Sequence, residues 1–172
     1  LKANAGSPLA REATAKRAFA CWKAGRSNGS TELTKLADQG EQDFARAWAQ
    51  WALASQGYRN FQQAIPLLKT ATKAEGRVGD EARRLLVAAC LTQLDNQYYD
   101  VKLAESLTAT VLEYATNEAD KAHARFTRAQ AWLQNESTRS KAEQELTDVG
   151  AGSTAWADDA LYLLGQQRES RE

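Results

Sequence analysis

The chain has 172 residues, of which 33 are alanine and two are proline, and its 22 basic residues balance 22 acidic ones. That length suits one domain, read here as residues 1–172, and the alanine favours helix throughout. The even charge counts against the basic stripe a nucleic-acid partner would need, and the longest apolar run, Leu85 to Leu91, is far short of the roughly 20 residues that span a membrane.

Spacing and punctuation predict nine helices. Ser7 before Pro8 reads as a cap followed by the proline that a first turn tolerates, opening a helix over 8–24. Helices follow over 31–39, 43–57, 60–75, 80–95, 99–116, 119–135, 139–149 and 154–168. Gly25, Gly40, Gly57, Gly76 and Gly150 stand at proposed ends, where a left-handed residue closes a helix without steric penalty. Pro66 falls inside the fourth helix and leaves the Gln62 carbonyl without its helical donor, so a bend or a frayed first turn is expected there.

The helices repeat in pairs. The clearest unit runs from Asp43 to Ala74: a helix carrying Trp48, Trp51 and Ala52, a break at Gly57, then Phe61, Ala64, Ile65, Leu68 and Ala71 on one face of a second helix. Sliding it along the chain puts equivalents of Trp48 at Ala15, Leu85, Phe126 and Ala160, with steps of 33, 37, 41 and 34 residues. Equivalents of Trp51 fall at Ala18, Ala88, Ala129 and Leu163. The longer steps are absorbed by extra residues around Gly57 to Asn60 and Asp95 to Asp100, which surface turns tolerate because loop closure grows only logarithmically with length.

The stretch from Trp48 to Ala71 resembles a tetratricopeptide repeat, whose period is roughly 34 residues. The unit from Ala119 to Val149 holds the pattern with Phe126, Ala129, Ala142, Leu146 and Val149, but Gln130 replaces the small residue. The first unit keeps Ala15, Ala18 and Phe19, then a short second helix around Leu33, Leu36 and Ala37. The resemblance implies an all-α fold, an α-solenoid of about four and a half antiparallel helix pairs wound as a right-handed superhelix, read as a fragment of a longer chain. The run WADDALYLLGQ near the end is similar to repeats of bacterial cell-envelope proteins, which implies a periplasmic or envelope location, with the cytoplasm as the alternative.

Residues for chemistry are scarce, and no enzyme activity, metal or cofactor is expected. Cys21 and Cys90 lack the spacing of redox or zinc sites and read as free thiols in alanine-rich helices. His123 is the only histidine, and its neighbours Ala119, Ala122 and Arg125 to Thr127 offer no carboxylate to orient it. Asp158 and Asp159 point about 100 degrees apart on a helix, so they complement its dipole and do not share a proton. GRVGDE lacks the glycines of a phosphate loop, and Arg77, Arg83 and Arg84 read as a solvated face balanced by Glu75, Asp80 and Glu81.

What the resemblance implies is a scaffold that binds a protein or peptide partner in a concave groove lined by the first helix of each pair. The residues implied for that groove are Arg46, Leu53, Gln56, Arg83, Leu86, Cys90, Gln93, Ala131 and Gln134. Gln56, Gln93 and Gln134 take equivalent places and would form an amide ladder, while Arg46 and Arg83 would favour an acidic segment. The family's lysine and asparagine clamp for a terminal carboxylate is incomplete: Lys16 fits one place, but Ala20, Gln50 and Leu53 stand where lysine or asparagine belongs. An internal, mildly acidic peptide or helix is therefore expected. The alternative is a spacer segment of a longer solenoid with no groove ligand. The last helix, with Leu161, Leu163 and Leu164 and no partner helix after it, suggests self-association or cover from further sequence.

Overall fold

The computed structural model describes residues 6–26, 28–39, 41–97 and 99–169. Among these the chain is all-helical: α1 (Pro8–Lys23), α2 (Asn28–Gln39), α3 (Phe44–Ser55), α4 (Ala64–Ala71), α5 (Arg77–Gln97), α6 (Val101–Tyr114), α7 (Glu118–Leu133), α8 (Arg139–Gly150) and α9 (Trp156–Glu169). A single 3-10 turn, Glu136–Thr138, leads into α8. The chain divides into two compact units, Leu1–Ala89 and Cys90–Glu172.

Local chemistry sets the ends of the elements. The Ser7 hydroxyl accepts from the Ala10 amide at 3.2 Å, and Asp43, Asp100 and Asn117 cap α3, α6 and α7 in the same way. Gly25 and Gly57 have φ of 75° and 76° and close α1 and α3 identically. After α1 the Arg26 amide donates to the Cys21 carbonyl and Gly25 to Trp22; after α3 Tyr58 donates to Leu53 and Gly57 to Ala54. This paired pattern satisfies carbonyls that the helix end would otherwise leave open.

Several boundaries differ from the sequence reading, among them the starts of α2, α4 and α5. Helix α4 begins only at Ala64, after a turn at Phe61–Gln63, so Pro66 sits in its first turn where the missing N–H is least needed. Helix α5 starts at Arg77, three residues early. Gly150 is not left-handed; it ends α8 as a small residue, since an added Cβ would lie 2.8 Å from the Leu161 side chain. Gly40 lies outside the described residues.

Successive helices pack against their neighbours. In the first unit α1 packs on α2 and α3, α2 on α3, and α3 on α4. In the second, α6 packs on α7, α7 on α8 and α9, and α8 on α9. The triangle α1–α2–α3 thus recurs as α7–α8–α9. Helix α3 is the centre of its unit: Phe44, Ala45, Ala47, Trp48, Ala49, Gln50, Ala52, Leu53 and Ala54 are all buried, which only alanine-rich packing permits on so many faces. The second unit closes over Phe126, Ala129, Trp132, Ala142, Leu146, Val149, Ala160 and Leu164.

Two polar ties lock α2 onto α3. The Ala37 carbonyl, near the open end of α2, accepts from Arg46 Nε at 3.0 Å and from buried Gln50 Nε2 at 2.9 Å. Arg59 then grips both oxygens of Asp38 at 2.7 and 3.0 Å and donates to Gln50 Oε1, which holds the loop after α3 beside them. That pair also holds the Asp38 carboxyl below its ordinary range.

The crossing of α1 and α2 depends on Gly29. A Cβ there would run into the Ala18 carbonyl and the backbone nitrogen and Cβ of Trp22. Gly29→Ala should therefore lower stability by about 1–3 kcal/mol, because the atoms in the way are backbone and cannot rotate aside. Gly165 lies within α9 with open space around its Cβ direction, so Gly165→Ala should raise stability by about 0.4–1 kcal/mol. Denaturant midpoints check both, and equal effects would contradict the packing described.

Candidate interaction surface

Burial sorts the nine residues expected to line a groove. Leu53, Leu86, Cys90, Gln93 and Ala131 are buried. Arg46 is half-buried with Nε on Ala37, and Arg83 pairs with Asp80 at 2.6 Å. Gln56 and Gln134 cap α3 and α7; Gln56 Oε1 accepts from Lys23 Nζ at 3.2 Å, and Gln134 is exposed.

A different surface of the first unit is built for contact. Phe19 and Trp22 on α1 meet Trp48 and Trp51 on α3, and Tyr58 follows α3. Ring centroids run Tyr58–Trp22 at 4.8 Å, Trp22–Phe19 at 6.3 Å, Phe19–Trp48 at 5.5 Å and Trp48–Trp51 at 5.9 Å. Three of these contacts are edge-to-face, with planes 77°, 77° and 84° apart, the arrangement that ring quadrupoles favour. Trp48 is buried, Phe19, Trp22 and Trp51 are half-buried, and Tyr58 is 68% exposed. The result is a continuous aromatic seam, anchored at Trp48 and open along both flanks.

Sequence reasoning placed Trp48 and Trp51 together but missed the other three rings. The available signal was an aromatic pair at i, i+3 in each first helix, beside the two glycines that close those helices. Those closures place Trp22 and Tyr58 side by side.

The indole N–H groups divide in the same way. Trp48 Nε1 donates to Glu81 Oε1 at 3.2 Å. Among the described residues Trp22 and Trp51 have no acceptor, and their N–H groups are not buried. Free donors beside half-exposed rings are what a surface needs to hold both an apolar group and a carbonyl.

A charge cluster fixes the anchored end. Arg77 binds both oxygens of buried Glu12 at 2.7 and 2.8 Å, and Lys16 Nζ lies 2.9 Å from Glu12 and 2.7 Å from Glu81. Lys16 also stands about 6 Å from the ring centres of Phe44 and Trp48. The Arg77 guanidinium holds the Glu12 carboxyl below its ordinary range; burial opposes this, and Lys16 adds to it. For Lys16, burial pulls the ammonium down, but Glu12 and Glu81 outweigh it and raise the value. The sequence reading gave Arg77 no partner on α1, because Glu12 lies 65 residues away.

Behind this cluster lies a cavity of about 380 Å³ with a mostly apolar lining that includes Leu9, Phe44, Ala71 and Val78. Glu12 and Asp43 reach its wall, but both are engaged, Glu12 as above and Asp43 with Arg11 at 2.7 Å.

In the second unit the seam between first helices is smaller. His123 stacks on Trp156 with centroids 4.1 Å apart and planes 12° apart, and Phe126 lies 5.3 Å from the same indole. Asp95 Oδ1 is 2.7 Å from His123 Nε2, a partner invisible in the spacing around His123 because it comes from α5. Among the described residues no hydroxyl or thiol hydrogen-bonds to that ring, and no group of three acidic, histidine or cysteine side chains is placed to hold a metal. Neither cysteine is in a disulfide among the described residues, Cys21 being half-buried and Cys90 buried. No helix among the described residues is long and apolar enough to cross a membrane.

No family model, curated protein or solved structure matches the chain.

Two variants probe the anchored end. Trp48→Ala should cost about 3–5 kcal/mol of stability, whereas Tyr58→Ala should stay within about 0.5 kcal/mol. Because the folded Glu12 carboxyl titrates below the ordinary value of 4.5, its contribution is fully present above that pH and is lost as pH falls through the lower folded value. Glu12→Gln should lower stability at neutral pH by about 1–3 kcal/mol and flatten the acid limb of a pH–stability curve. An unchanged acid limb would show that Glu12 does not carry that dependence.

Proposed function

We propose that the protein is an interaction scaffold of the tetratricopeptide kind, without enzyme activity, and that its first unit binds a partner polypeptide along the aromatic seam of α1 and α3. The observation that carries this reading is the seam itself: five rings in contact, four of them reaching solvent, with two indole donors unused. Burying an aromatic side chain at an interface is worth more than burying almost any other residue, and tryptophan and tyrosine dominate binding hot spots. A folded chain gains little by leaving such rings half-wet unless something covers them.

The solenoid form of the reading rests on the repeated triangle of helices and on the matching closures at Gly25 and Gly57. The interacting surface is then formed by first helices, as the resemblance implied, but through rings in place of the amide ladder. A second reading, a spacer within a longer stack, is favoured by α9, where Leu161 is 53% and Tyr162 69% exposed beside buried Ala157, Ala160 and Leu164. Such a face suits another helix of the same stack or a second copy of the chain.

With a partner in hand, Tyr58→Ala and Trp22→Phe should each weaken binding at least threefold, and together at least tenfold or about 1.4 kcal/mol, at unchanged helicity. Calorimetric titration checks this. Unchanged affinity in the double variant, with loss of binding in Leu161→Glu, would move the interaction to α9.

A further inference from the structure

Resting on that reading of the seam, we infer that its ligand is an extended, proline-rich and acidic segment, and not a helix. Three independent features point the same way.

The first is the state of the donors. Trp22 and Trp51 present indole N–H groups with no acceptor among the described residues. A bound α-helix uses its own carbonyls internally and has few to offer. A polyproline II segment has no internal hydrogen bonds, so its carbonyls are free to accept from both indoles. The second is shape. The rings that meet edge-to-face stand nearly perpendicular, and a pyrrolidine ring packs flat on an exposed ring face without losing rotamer entropy, because proline has none to lose.

The third is charge. Although the whole chain is neutral, the segments that build the seam contain no acid: none occurs from Ala13 to Thr31, nor from Phe44 to Ala74. Lys23 and Arg26 stand exposed at the Trp22–Tyr58 end, and among the described residues neither is paired with a carboxylate. The acids that do reach the seam's other end, Glu12 and Glu81, are already held by Lys16 and Arg77. An acidic peptide therefore meets uncompensated positive charge at the open end and no repulsion along the way.

The test uses the whole chain and three synthetic peptides of equal length, followed by tryptophan fluorescence and by calorimetry. One is a repeat of Pro-Pro-Glu, one replaces each proline with alanine and keeps the charge, and one replaces each glutamate with lysine and keeps the prolines. The Pro-Pro-Glu peptide should bind saturably, with each of the other two at least tenfold weaker. Trp22→Phe and Trp51→Phe, which keep a ring but remove the donor, should each weaken it about three- to tenfold.

If the alanine peptide binds as tightly as the proline one, the ligand is helical and the inference fails, while the seam stands as the site provided Tyr58→Ala still weakens that binding. If the lysine peptide binds equally well, the charge argument fails and the acidic assignment with it. If no peptide binds, the extended-ligand inference is overturned. Whether the seam is a binding surface at all is then decided separately, by the effect of the double seam variant on a native partner.

Discussion

Arg77 gripping Glu12 is the contact on which the first unit depends. It joins the start of α5 to the middle of α1 across 65 residues of sequence, and through Lys16 and Glu81 it reaches the Trp48 indole of α3. A carboxylate as buried as Glu12 would be strongly unfavourable alone. Here two cations surround it, and their effect exceeds the opposing effect of burial, since the net direction of its titration is downward. The cluster is therefore strong in geometry and modest in net energy, and its larger consequence is positional: it fixes how first helices lie beside one another and where Trp48 points.

With Trp48 fixed, the remaining rings follow. Phe19 packs edge-on against it, Trp22 follows Phe19 by one turn, and the twin glycine closures bring Tyr58 against Trp22. The second unit solves the same problem differently. On the repeat register His123 takes the place of Glu12, and Trp156 takes that of Phe44. There a flat stack of His123 on Trp156, with Asp95 holding the imidazole, replaces the ion cluster.

Much of the fold was legible because helices declare themselves locally. Ser7, Asp43 and the glycines at 25 and 57 mark ends by chemistry confined to a few residues, and the spacing of Phe61, Ala64 and Leu68 marks a buried face. Pro66 marked the unformed first turn of the fourth helix, although phase alone does not say that α4 begins at Ala64. The burial of the expected groove residues was less legible. Placing Leu53, Leu86, Cys90, Gln93 and Ala131 on a ligand face required knowing which side of each helix the neighbours cover, and in alanine-rich helices small residues pack on several sides at once. Glu12–Arg77 and His123–Asp95 were out of reach for another reason, because both join side chains on different elements.

The central claim is that the seam is anchored at Trp48 and open at Trp22 and Trp51. Solvent exchange of the indole N–H signals, resolved for the five tryptophans by NMR and assigned with single Trp→Phe variants, tests it most directly. Trp22 and Trp51 should exchange rapidly with water, while Trp48 and Trp132, which donate to Glu81 and Glu105, should be protected. Protection of Trp22 and Trp51 equal to that of Trp48 would contradict an open aromatic surface on the first unit.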